Sequence, residues 1–227
     1  MASATMEWWW PVSQDFGLVR SGLETAAAMR RRQYENAGLH FMSTPLQGSL
    51  HDCLSRLEPL SPAATKELYL ESTFGWTAYF ANGFRGSDPF LPMFQLSKAL
   101  GVTALRARRS PASARYPAVI LEVYDTPTAG GDSYGYRRSI AAANDGGRWT
   151  FHQSGAPFAF EQIARYEARR KRDRFTPEML NYYLEQMGIS GLSDEVLQPN
   201  GTCKAWLISR PDHTHLPRYT LAEAKAL

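Results

Sequence analysis

Arginine and aspartate meet twice in this chain beside glycine, at turns where a scaffold can present them. The first place is Trp76-Thr-Ala-Tyr-Phe-Ala-Asn-Gly-Phe-Arg-Gly-Ser-Asp88. A strand there delivers aromatic residues into a glycine-containing loop, and loops held by rigid elements are where binding groups concentrate. Arg85 would act as a fork donor, Trp76 or Tyr79 as an apolar anchor, and Asn82 and Asp88 as polar contacts near the tip. The structural alternative is a turn followed by a helix cap, with Arg85 solvated. The second place is Asn144-Asp-Gly-Gly-Arg-Trp149. There Asn144, Asp145 and Arg148 would flank a small polar ligand, and Gly146 and Gly147 would admit a phosphate or a second backbone. If the chain is catalytic, Asp145, Arg148 and His152 are the candidate catalytic groups. Asn, Asp and Gly are also what a plain hairpin turn requires. No Gly-Lys-Ser/Thr follows, so the segment is not a P-loop.

Other chemistries leave weaker marks. Asp212-His-Thr-His215 holds half a metal site, with distant ligands such as His152 needed to complete it; no His-Glu-x-x-His or Cys-x-x-Cys occurs, and neither a metal nor a cofactor is expected. No Gly-x-Ser-x-Gly elbow is present. Arg165 to Arg174 is strongly basic. On a helix, Arg165, Arg169 and Arg172 would share one face and grip phosphates, although Glu161, Glu167 and Asp173 interleave the run. Trp8-Trp9-Trp10 cannot place three indoles on one side of any regular element, which leaves some as interface anchors.

The elements that must position these groups read as follows. Residues 12–37 carry Leu18, Val19, Leu23, Ala26 and Ala27 near helical spacing, with Arg30-Arg31-Arg32 in the closing turns and Gly38 as the stop. Ser49 caps a short helix with Leu50, Cys53, Leu54 and Leu57 on one stripe. Ser61-Pro62 reads as a second cap. Residues 67–71 and 76–80 form an antiparallel hairpin, and Asp88-Pro89 opens a helix that ends at Gly101. Strands follow at 103–108, 118–125, 137–143 and 148–153, the last two joined by the Asn144 turn. Phe160, Ile163 and Ala164 begin a helix that becomes basic. Thr176-Pro177 caps another, with Met179, Leu180, Tyr183, Leu184 and Met187 buried and Gly188 ending it. Lys204 to Ser209 is a last strand. The expectation is a single α+β domain over 1–227: an antiparallel sheet of five to six strands, helices mainly on one side, a helical N-terminal segment (about 12–60) and a loose tail (about 211–227).

With 227 residues, 44% hydrophobic, the chain can bury a sizeable core. Its formal charge of +3 is far from that of a DNA-coating protein. Cys53 sits on an apolar stripe, where a free thiol behaves as a small hydrophobe; spacing leaves one disulfide with Cys203 open. A reducing compartment is expected. Met1 to Pro11 lacks the basic start and apolar core of a leader, and no apolar run has transmembrane length, so a cytoplasmic protein without a membrane partner is expected.

Gly75 to Asp88, Ser139 to Arg148 and Asp173-Arg-Phe-Thr-Pro-Glu-Met-Leu180 resemble stretches of small bacterial proteins of the toxin-immunity and accessory type. That resemblance implies a non-enzymatic binding protein of the toxin-neutralising immunity type. The positive charge points to an acidic or neutral protein partner. Two alternatives stand beside it: an enzyme for a phosphorylated or anionic substrate, using an Arg/Asp cluster, and a nucleic-acid binder using residues 160–174.

Overall fold

The computed structural model describes residues 9–125, 136–190, 192–210 and 215–227. Nine strands form among the described residues: β1 (Asp15–Val19), β2 (Met42–Gly48), β3 (Lys66–Glu71), β4 (Thr77–Ala81), β5 (Ala104–Arg109), β6 (Ala118–Tyr124), β7 (Tyr136–Asn144), β8 (Trp149–Ser154) and β9 (Cys203–Ser209). They join one antiparallel sheet in the order β2-β9-β3-β4-β1-β5-β6-β7-β8. The helices are α1 (Leu23–Asn36), α2 (Leu50–Ser55), α3 (Phe90–Leu100), α4 (Pro177–Gln186), α5 (Asp194–Leu197) and α6 (Leu221–Ala226). The α+β class and the antiparallel sheet stand as expected. The count of five to six strands does not, because the described residues hold nine.

The extra strands are those whose sequence hides them. β1 lies mid-sheet with all five residues buried, so it shows no alternation and reads as the start of a helix. The helix expected over 12–37 therefore splits: a 3-10 turn at Val12–Gln14, then β1, then α1 after Gly22. Glycine at position 17 lets α3 sit close over β1. A Cβ there would come within 2.6 Å of Met93 Sδ on α3, which lies directly over it. β2 contains Pro45, tolerated because β2 is an edge strand.

Helices cover both faces, not mainly one. Leu23, Ala26 and Tyr34 of α1 and Met93 and Leu96 of α3 pack on Tyr69, Tyr79 and Tyr124. On the opposite face α2, α4 and α5 pack on Leu68, Phe80, Leu105 and Leu121. The central strands β1, β3 and β4 thus bury odd and even residues in different layers, whereas the edge strands β2 and β8 stay partly exposed.

Several local signals hold. Ser49 Oγ accepts from Asp52 N at 3.1 Å, and Thr176 Oγ1 from Met179 N at 3.4 Å with Pro177 behind it. Gly101 ends α3 at φ +67. Others change. Leu60 and Ser61 form isolated bridges to Tyr219 and Gly83 instead of opening a helix. Residues 163–173 form two 3-10 turns, Ile163–Glu167 and Lys171–Asp173, so no helix lines up Arg165, Arg169 and Arg172. Beyond 211, α6 is capped by Thr220 and buries Ala224. Among the described residues no helix is long and apolar enough to cross a membrane.

Candidate functional site

The loop after β4 is built on close backbone contacts. A Cβ on Gly83 would meet Gly86 O at 2.1 Å, and Gly86 sits at φ +123. Asn82, 1% exposed, braces the loop from beneath. Its Oδ1 accepts from Thr65 N (2.8 Å) and Lys66 N (2.9 Å), while its Nδ2 donates to Pro59 O and Thr65 Oγ1. Asn82 is therefore committed to the scaffold, not offered to a ligand. The segment before β1 is stitched to the same loop: Gln14 Nε2 donates to Arg85 O at 2.8 Å, and Ser87 Oγ to Val12 O at 3.2 Å.

Those stitches frame a cleft of about 400 Å³ at the sheet end, lined by Trp10, Gln14, Phe84, Arg85, Arg108 and the β5–β6 loop residues Arg115 and Tyr116, with α6 beyond. Arg85 lies over the Phe84 ring (4.9 Å to the centroid) and Arg115 over Tyr116 (5.3 Å). Arg108 is held by Asp15 (3.3 Å) and Ser110 (3.2 Å). Among the described residues neither the Arg85 nor the Arg115 guanidinium has a hydrogen bond or ion pair, and the buried Trp10 N–H has no acceptor. The cleft thus presents donors and aromatic faces, the chemistry that receives carboxylates or phosphates beside apolar side chains.

A second cavity, about 370 Å³, opens on the α1/α3 side of the same loop. Its floor is the Glu67 carboxylate, which accepts from Arg30 Nε (2.8 Å), Arg30 Nη2 (2.7 Å), Tyr34 (2.7 Å) and Tyr69 (3.0 Å). Burial pushes this carboxyl up, but the Arg30 charge and these hydrogen bonds outweigh it and hold the group below the usual carboxylate range. Tyr79 and Asp88 line this cavity, not the cleft with Arg85. Tyr79 is 1% exposed, and burial and the Glu67 charge raise its phenol well above normal. Asp88 adopts φ +42 and does not cap α3, whose N-cap is Pro89. Its carboxylate, largely exposed, lies 3.7 Å from Arg106, which Asp15 grips with two hydrogen bonds of 2.8 and 3.0 Å.

The other sequence candidates lie elsewhere. Trp76 is 6% exposed and belongs to the core. Asp145 and Arg148 are exposed on the β7–β8 turn, where Asn144 Oδ1 accepts from Gly147 N at 2.6 Å. That turn is at the same end of the sheet as Arg85 but four strand spacings away, roughly 19 Å. Residues 144–148 line neither cavity described here. His152 is exposed on the edge strand β8. Among the described residues no group of three His, Cys, Asp or Glu side chains is placed to hold a metal; His213 lies outside them. Trp8 and residues 127–135 also lie outside them.

No family model, curated protein or solved structure matches the chain.

Sequence reasoning missed Arg108, Arg115 and Tyr116. Arg108 only ends the strand expected over 103–108, and the Pro111–Pro117 loop carries no periodic signal. It also missed that Arg30 points inward. The signal was present: Ala26, Arg30 and Tyr34 recur at i, i+4, i+8, on the face that α1 buries.

Proposed function

We propose that the protein is a binding protein whose arginine and aromatic cleft takes an acidic segment of another protein. The observation that supports this is the state of Arg85 and Arg115: both exposed, both with the guanidinium over an aromatic ring, both without a carboxylate partner among the described residues. Stacking fixes each fork before a ligand arrives, which lowers the ordering cost of binding. Arginine beside tryptophan and tyrosine is the composition of interface anchors. Within this class we propose a toxin-neutralising role, in which the cleft covers an acidic or neutral surface of the toxin.

An enzyme acting on an anionic substrate would draw on the same arginines. A single Arg/Asp cluster, however, requires the loops 82–88 and 144–148 to share a cavity, and about 19 Å separates them.

The test is a photo-crosslinking amino acid at Tyr116, compared with one at His152, in cells of the source organism. The expected result is a peptide adduct from position 116, rich in Asp and Glu, that disappears when Arg85 and Arg115 are alanine. An adduct with nucleic acid, or equal yields from both positions, would contradict the proposal.

A further inference from the structure

The two cysteines stand outside the cleft and its networks. Cys53 is in α2 and Cys203 is the first residue of β9; both are buried, at 2% and 1% exposure. They are 150 residues apart in sequence, yet their sulfurs lie 2.9 Å apart. Rigid elements fix that approach. Gly48 pairs with Cys203 in the β2–β9 ladder, and Ser49 then caps α2, so Cys53 is delivered onto the start of β9. Gln198 Oε1 accepts from Leu50 N at 2.8 Å and holds the first turn of α2 against the chain leading into β9.

We propose that Cys53 and Cys203 are a disulfide-forming pair, a covalent site that reacts with low-molecular-weight disulfides such as glutathione disulfide. Sulfurs this close, on elements held by a strand ladder, meet the proximity requirement for bond formation. The hydrogen bond from Cys203 holds the Cys53 thiol below its ordinary range, and the same contact with burial pushes Cys203 up. Cys53, carried by the short α2 while Cys203 belongs to β9, held in a ladder between β2 and β3, is the more readily released and is the attacking group. It loses its proton and attacks one sulfur of glutathione disulfide. The glutathione S–S bond breaks, a mixed disulfide forms on Cys53, and the departing glutathione thiolate takes up a proton. Cys203 then loses its proton, attacks the Cys53 sulfur and releases the second glutathione as a thiol. Two protein thiols are oxidised and one glutathione disulfide is reduced. Because both sulfurs are buried, exchange proceeds through local release of the short α2 or during folding.

The full chain is unfolded in denaturant, refolded in an oxidising glutathione buffer, acid-quenched, alkylated and weighed. The expected product has no alkylated thiol, no glutathione adduct and one cross-linked peptide joining positions 53 and 203. Its denaturation midpoint should fall on adding dithiothreitol, since the link closes a long loop. A Cys53→Ala/Cys203→Ala chain should show no response to reductant. Native protein with both thiols alkylated, or with a stable glutathione adduct, would overturn the proposal, and the wild-type thiol count decides even if the variant fails to fold.

Discussion

Arg138 and Arg85 show two uses of the same side chain. Arg138 is 1% exposed, and all five N–H donors of its fork are engaged: Nε and Nη2 with Glu161, Nη2 also with Gln153, and Nη1 with the carbonyls of Ser154 and Gly155. Arg138 alternates with Ile140 and Ala142 onto the α4 side of the sheet, where Tyr166 and Tyr183 extend the network, while the register shift at Val123/Tyr124 sends Tyr136 to the other face. Arg30 repeats the pattern with Glu67, Gln33, Gln95 and Tyr34. Among the described residues the Arg85 and Arg115 side chains make ring contacts only. A saturated arginine fastens elements together; an unsaturated one, already stacked, waits for an acceptor.

The contrast can be broken from either side. The largest effect should come from Arg138→Met, which strands Glu161 in the core. A loss of about 3–5 kcal/mol is expected from urea unfolding, with part of it recovered by replacing Glu161 with Met as well. A loss below about 1 kcal/mol would mean that the network is not structural. Arg85→Lys keeps the charge but loses the flat fork, so partner affinity should fall about tenfold with stability unchanged. Affinity equal to wild type would reduce Arg85 to a point charge.

Glu67 supplies a pH signature. Its folded pKa lies below the unfolded one, so its contribution is complete above the unfolded value of about 4.3 and is lost as pH falls through the folded value. Unfolding measured from pH 6 downward should therefore lose stability more steeply in wild type than in Glu67→Gln. Parallel curves would sink the assignment. The smallest effect is Asp88→Gly: relief of the φ of +42 should stabilise the fold by about 0.5–1 kcal/mol.

The sequence displayed whatever is local. α4 could be read because Thr176, Pro177, a buried stripe and Gly188 all agree, and β3–β4 because its aromatic runs flank a short turn. β1 could not, because a strand buried on both faces lacks alternation. The apolar spacing of Phe160, Ile163 and Ala164 predicts a helix that runs on into the basic stretch 165–174. Its chain instead closes into 3-10 turns that bury Tyr166 and lead into buried Phe175. The cleft was half legible. Arg85 announced itself by its loop, whereas Trp10, Arg108 and Arg115 arrive from segments that meet only when β4, β1 and β5 lie side by side.

The most direct measurement is the affinity of the crosslinked partner segment, made as a peptide, for wild type and for Arg85→Ala/Arg115→Ala, with unfolding followed on the same samples. Affinity should drop at least about tenfold while stability moves by less than about 0.5 kcal/mol. Undiminished affinity, or a loss of binding matched by a loss of folding, would contradict the account.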